Sequence, residues 1–302
     1  MIQQITVIGT GLIGGSFALA VRKHGFRGRI VGCDRDPVLH EALRIGAIDQ
    51  AVPDPVAACR GSQLVLLATP VGTIMDLIER IGPTLAPGAI LTDAGSTKGD
   101  VLARAGQVFG KNVGERFLAG HPMAGKEHGG IEHAAADLFQ GAPWILIPTP
   151  GQNLLSGVFN AYVVLLETIG ARIMTMQPDA HDCLCAWVSH LPQMISTALA
   201  ATLVDEFADV AESEPSLADV HSVGGRALRE MTRISASPYS MWRDIAFTNT
   251  KQIEHALERL EQGLAHIREN LRTPELRHEF EKANSFEKQN PTQRHRDTEE
   301  KK

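Results

Sequence analysis

The chain has 302 residues, room for two domains of ordinary size, and its 43% hydrophobic content excludes wholesale disorder. Its longest apolar runs, such as 64–68 and 144–147, are far too short to cross a membrane. The 29 Lys and Arg against 35 Asp and Glu leave a net charge of −6 with no basic block, which argues against a nucleic-acid partner. In chain order, residues 5–8 predict a buried strand, 12–23 a helix, 29–33 a strand, 37–45 a helix, 63–68 a strand, 72–81 a helix and 89–92 a strand. A helix over 97–105 and short strands at 117–119 and 144–147 complete the first half. Strands alternating with helices through short connections predict an α/β fold with a largely parallel, doubly wound sheet.

Pro148-Thr149-Pro150-Gly151 breaks this pattern, so a domain boundary is expected there, with 1–150 forming the first domain. From 151 to 283 the reading is all-α. Leu184, Trp187, Val188, Leu191, Ile195, Leu199 and Leu203 recur at spacings of three and four, as do Ile253, Ala256, Leu257, Leu260, Leu264, Ile267 and Leu271. Such stripes suit either packing against a second copy of the chain or an intramolecular bundle. The stretch 284–302 is polar and aperiodic and is expected to be disordered.

Gly9-Thr10-Gly11-Leu12-Ile13-Gly14 follows a predicted strand and opens a predicted helix, the context in which a GxGxxG pattern binds a dinucleotide in a Rossmann-type domain. Gly9 permits the turn, Gly11 admits the pyrophosphate, and Gly14 lets helix and strand pack closely. The helix start at Leu12 and Ile13 offers its N–H groups to phosphate. Asp34 ends the second strand twenty residues after Gly14, where a carboxylate holds the ribose hydroxyls and favours NAD; the neighbouring Arg35 keeps NADP open. Thr69 and Pro70, after the next strand, are expected to wall the cofactor cleft, though an ordinary strand-ending turn reads the same way.

Two further segments end predicted strands: Asp93-Ala94-Gly95-Ser96-Thr97-Lys98 and Gly120-His121-Pro122-Met123-Ala124-Gly125. A doubly wound sheet brings both to the edge that carries the glycine turn, placing Ser96 and His121 near a nicotinamide. An imidazole suits proton removal from an alcohol, and a hydroxyl such as Ser96 can orient it. Cys183-x-Cys185 lacks zinc-ligand spacing, and His128 and His133 have no completing set, so no metal is expected. Four cysteines are too few for a disulfide framework, and Met1-Ile2-Gln3-Gln4 does not lead into a signal core; a reducing cytoplasm is expected.

These segments, together with His181-Asp182, Ser189-His190-Leu191-Pro192, Gly224-Gly225, Thr232-Arg233-Ile234 and Met241-Trp242-Arg243-Asp244-Ile245, resemble the prephenate/arogenate dehydrogenase family in order, to about residue 272. The resemblance implies oxidative decarboxylation of prephenate, or of arogenate, in tyrosine biosynthesis. It also implies a homodimer formed through the helical half. By similarity His121 is the base, Ser96 its partner on the ring hydroxyl, and Arg233 the carboxylate anchor. Glu127 and Trp242 would close the pocket, and His190 would touch substrate. Gln193 stands where many relatives carry histidine, and Lys126 where a small hydroxyl residue is common; both are expected at the substrate.

Two other readings compete. A β-hydroxyacid dehydrogenase places a lysine base in its second domain, but no lysine occurs between Lys126 and Lys251. A non-catalytic NAD-binding regulator would keep the glycine turn without needing Ser96, His121 and Arg233 together.

Overall fold

Strands form mostly where short runs of branched apolar residues are bounded by glycine or polar turns. They are β1 (Gln4–Ile8), β2 (Arg29–Cys33), β3 (Gln50–Ala51), β4 (Leu64–Leu67), β5 (Ile90–Asp93), β6 (Phe117–Pro122), β7 (Pro143–Ile147) and β8 (Arg172–Thr175). In the computed structural model, which describes residues 2–289 apart from Glu127, Asp209, Glu212 and Ser213, they form one sheet ordered β3-β2-β1-β4-β5-β6-β7-β8. Pairing is parallel throughout except between β6 and β7. The central strands read as continuous apolar runs because both faces are covered: β4 is buried at all four positions.

The helices of this part are α1 (Leu12–Lys23), α2 (Asp36–Arg44), α3 (Pro55–Ala58), α4 (Val71–Ile81), α5 (Gly99–Phe109), α6 (Val113–Arg116) and α7 (Gly157–Thr168). One core packs Ile5, Val7, Phe17, Leu66, Trp144 and Tyr162 on one face of the sheet. The other packs Ile8, Leu67, Ile74, Ile78, Leu91 and Val101. The chain order reverses between β1 and β4, so the crevice beyond their carboxyl ends is where a ligand of such a sheet lies.

The expected boundary at 150 comes later in the structure. After Pro150 the chain forms α7, crosses over and adds β8 beside β7, so the sheet runs to Thr175. Beyond it the regular elements among the described residues are helices: α8 (Pro178–Cys185), α9 (Leu191–Phe207), α10 (Leu217–Val223), α11 (Arg226–Thr232), α12 (Tyr239–Thr248), α13 (Thr250–Glu269) and α14 (Glu275–Gln289). Between α8 and α9, Ala186–His190 forms one wide π turn. Pro192 explains it: lacking an N–H, it cannot complete the α ladder here, and the chain takes up the slack with i→i+5 bonding. Polar bonds tie α8 and α12 to the sheet edge. Asp182 accepts the N–H groups of Lys98 and Gly99 at 2.8 Å each, Asp244 accepts that of Gly72 at 3.0 Å, and the hydroxyls of Thr97 and Thr248 meet at 2.7 Å.

The described residues from Glu254 onward form a second compact unit. Within it Glu279 accepts from Lys282 at 2.7 Å and faces His266 at 3.7 Å. The stretch expected to be disordered from 284 is helical through Gln289: in α14 Leu276, Phe280, Ala283 and Phe286 recur at spacings of three and four, and Lys282 pairs with Glu279 at i,i+3. Residues 290–302 lie outside the described residues. Among the described residues no helix is long and apolar enough to cross a membrane.

Candidate active site

The glycine turn sits at the carboxyl end of β1. Gly9 has φ +88°, and a Cβ there would stand 2.4 Å from the Ala68 carbonyl oxygen. A Cβ on Gly14 would stand 2.0 Å from the Gly9 carbonyl oxygen and 2.7 Å from Val7 Cγ1, so both positions require glycine for close approach. Gly11 differs: nothing lies within 4 Å of where its Cβ would be. That clear space fronts the start of α1, where Leu12 and Ile13 are half-buried and the first turn carries no acidic residue. Asp34 accepts the Thr10 N–H at 2.7 Å and the Arg35 N–H at 2.8 Å, fixing a carboxylate beside the turn, while the Arg35 side chain is exposed. Thr69 abuts Gly9, and its buried hydroxyl has no hydrogen-bond partner; Pro70 precedes the first turn of α4. An open space at a helix start, a fixed carboxylate and an orphaned hydroxyl on the same sheet edge fit a bound dinucleotide.

His121 lies near the end of β6, almost fully buried. Its Nδ1 is 2.9 Å from His181 Nε2, and His181 Nδ1 is 2.7 Å from Asp182 Oδ1. A carboxylate can only accept, so His181 Nδ1 carries the proton and its Nε2 accepts. His121 Nδ1 therefore donates, and the His121 Nε2 lone pair faces outward from the relay. Burial pushes the His121 imidazole well below its ordinary value, with His181, Lys98 and His190 adding in that order.

Beneath this relay lies a fully buried ion pair between Lys98 and Asp93. Lys98 Nζ also donates to the Gly120 carbonyl at 2.8 Å. Asp93 accepts the N–H of Gly95 at 2.8 Å and that of Gly120 at 3.2 Å. The pair thus clamps the loop carrying Ser96, which is half-buried, to the strand residue just before His121. The sequence marks His181-Asp182 and the segment 93–98, but neither the relay nor the clamp could be read from it. The adjacency His181-Asp182 was visible, but nothing local shows that it meets a strand 60 positions earlier.

His190 ends the π turn, fully buried. The Asn249 side-chain amide donates to the Asp182 carbonyl at 2.8 Å and to His190 Nδ1 at 3.2 Å. His190 is therefore the Nε2–H tautomer, and that buried N–H has no partner. Burial drives its pKa down to about 4, so the ring is neutral near pH 7. The Trp242 ring meets it edge-on at 6.0 Å, and the buried Trp242 Nε1–H is also unpartnered. Both are buried donors without a partner, each able to donate to an oxygen brought to it.

The remaining expected substrate residues fare differently. Gln193 is buried, but both its N–H groups are used, on Thr197 Oγ1 at 3.2 Å and the Ile234 carbonyl at 2.9 Å, and its Oε1 accepts from Ser237. The exposed Arg233 begins the turn Arg233–Ala236 whose Ile234 carbonyl Gln193 holds. Lys126 is exposed and donates to the His133 carbonyl at 2.7 Å. Glu127 lies outside the described residues.

A doubly wound sheet with a dinucleotide cradle, followed by helices that bring polar groups to the same edge, defines an NAD-dependent dehydrogenase. Residues 17–175 match the family description "Prephenate dehydrogenase, nucleotide-binding domain", and 177–283 match "Prephenate dehydrogenase, dimerization domain". A prephenate dehydrogenase of Bacillus subtilis is 34% identical over 269 residues, 88% of this chain and 69% of that protein. The prephenate dehydrogenase of Aquifex aeolicus, solved with hydroxyphenyl propionate and NAD+, is 30% identical with a TM-score of 0.81, covering 98% of each chain. The arogenate dehydrogenase of Synechocystis is 27% identical with a TM-score of 0.74, covering 94% of this chain and 99% of that one. The chain belongs to the prephenate dehydrogenase family.

Proposed function

We propose that the protein carries out the NAD-dependent oxidative decarboxylation of prephenate to 4-hydroxyphenylpyruvate, with arogenate as the alternative substrate. The observation that carries this reading is the buried relay Asp182–His181–His121, which leaves His121 Nε2 as an acceptor. NAD, when bound, supplies the hydride acceptor; Gly11, Leu12 and Ile13 would hold its pyrophosphate and Asp34 its ribose. His121 Nε2 takes up the ring hydroxyl proton as carbonyl character builds at that carbon. It returns the proton when the opposite ring carbon loses carbon dioxide and the ring becomes a phenol. The bond electrons left by carbon dioxide enter the ring, so aromatisation drives the step and no strong acid is required. Such positioned base catalysis contributes about 10²–10⁴-fold.

Ser96 orients the hydroxyl beside His121, on the loop that Asp93 and Lys98 clamp. The His190 and Trp242 N–H groups take a substrate oxygen, and Arg233 anchors the carboxylate that stays. Gln193 acts by holding the turn that begins at Arg233. The family resemblance assigns Lys126 and Glu127 to the substrate as well.

The working form is a homodimer through the helical half. Leu184, Trp187, Val188 and Val204 are exposed on that half, an apolar face that a second copy would cover. The cytoplasm suits four cysteines that are all free. Incubation with NAD and prephenate should give reduced cofactor and carbon dioxide in equal amounts; arogenate and NADP run in parallel fix the preference. Cofactor binding without turnover of either substrate would overturn the reading.

A further inference from the structure

We infer that His121, His181 and Cys185 together form a binding site for one thiophilic divalent cation of the zinc class, whose occupancy silences the enzyme. The silencing rests on the reading of His121 as the base; the site itself does not. All three side chains are buried and their ligand atoms lie within 4.8 Å of one another. Cys185 Sγ is 3.4 Å from His181 Nε2 and 3.8 Å from His121 Nδ1, and the two nitrogens are 2.9 Å apart. Ligands held at about 2.0–2.3 Å around a tetrahedral zinc stand roughly 3.3–3.8 Å from each other. The two nitrogen–sulfur spans already match, and only the nitrogen pair must open, by less than about half an ångström on this geometry.

Two imidazoles and a thiolate select a zinc-class ion over magnesium or calcium. Three protein ligands leave the fourth position open, as in catalytic rather than structural zinc sites. Asp182 on His181 Nδ1 supplies the carboxylate partner that zinc-bound histidines commonly have, and it is itself anchored by the Lys98 and Gly99 N–H groups. Cysteine spacing could not disclose this set. Cys183 is exposed, as expected of a helical neighbour two residues away, and the ligands come together across β6 and α8.

The chemistry of silencing follows from the relay. On binding, the Cys185 thiol loses its proton to solvent, and the hydrogen bond between the two imidazoles is replaced by two bonds to the ion. With the ion on His121 Nδ1, the neutral ring carries its proton on Nε2. That is the atom that must accept the substrate hydroxyl proton, so the base is lost while the cofactor cradle is untouched.

The test uses the full chain, first stripped with a chelator and assayed for turnover. Cobalt(II) added to the stripped protein should bind at one equivalent with strong visible bands of a tetrahedral ion and a near-ultraviolet sulfur-to-cobalt charge-transfer band. Zinc should abolish turnover of the stripped enzyme without displacing NAD. Cys185→Ser should keep turnover, lose the charge-transfer band and need at least about tenfold more zinc for inhibition; Cys185→Ala checks that the serine hydroxyl adds no ligand. Absence of the band in the unaltered protein, its persistence in Cys185→Ser, or equal zinc sensitivity of the two would overturn the inference. A stripped protein that turns over substrate but binds no cobalt defeats the cation site alone. One that binds cobalt but never turns over defeats the functional reading alone.

Discussion

Replacing Lys98 by Met removes an ammonium and keeps most of the volume, at a position with no solvent exposure. Asp93 would then be a buried carboxylate with only the Gly95 and Gly120 N–H groups for support, and the Gly120 carbonyl would lose its donor. Breaking one side of a buried pair costs about 3–5 kcal/mol, because the remaining charge is uncompensated. At roughly 2–4 °C per kcal/mol for a domain of this size, the melting temperature should fall by roughly 6–20 °C. Turnover should fall as well, because the clamp on the Ser96 loop and on Gly120 is lost, while NAD affinity holds. The diagnostic variant is Lys98→Met with Asp93→Asn. It removes the orphaned charge, although one amide can serve only one of the two N–H groups. About half the lost stability should return, read by calorimetry and by urea midpoints. A double variant no more stable than Lys98→Met alone would refute the argument that an unpaired charge, rather than lost packing, carries the cost.

Asp182→Asn should lower kcat about 10²–10⁴-fold by releasing the tautomer that the carboxylate imposes, with NAD affinity and substrate KM nearly unchanged; a proportionate loss of NAD binding would instead mean that Asp182 merely holds the fold together. Asp34→Ala should narrow the NAD-over-NADP ratio measured in kcat/KM, and an unaltered ratio would remove Asp34 from the ribose. His190 has a folded pKa of about 4 against about 6.5 in the unfolded chain, so the unfolded state takes up the proton first as the solution is acidified. Stability should therefore decline between about pH 6.5 and 4, by about 3 kcal/mol from this group, and level off below its folded pKa; His190→Gln should flatten that window in urea titrations.

What could be read before any coordinates were those features whose cause is local. Gly9 to Gly14 announces itself because a tight turn, an open cradle and a close helix–strand contact each demand a missing side chain within a few residues. The positions of Asp34, just past β2, and His121, one residue before the end of β6, were legible because each follows an apolar run that marks a strand. The His121–His181 contact spans 60 positions and leaves no periodic trace. Edge strand β8 was hidden because its residues are half-buried or exposed and follow a helix, so neither alternation nor an apolar run marks it. Gln193 drew attention as a substitution at a substrate position, whereas its amide proves to be spent on Ile234, Thr197 and Ser237, a commitment that only tertiary placement decides.

The wide turn Ala186–His190 carries a consequence for how this lineage can vary. Deleting one residue between His181 and Pro192 would convert this one wide turn into one ordinary turn, so the chain downstream would keep nearly the same facing. Gln193 would stay on Ser237 and Ile234, whereas a second deletion, with no wide turn left to absorb it, would swing it away by about 100°. The wide turn thus holds one residue of play, and the helix beyond it keeps its facing only while that play is not exceeded.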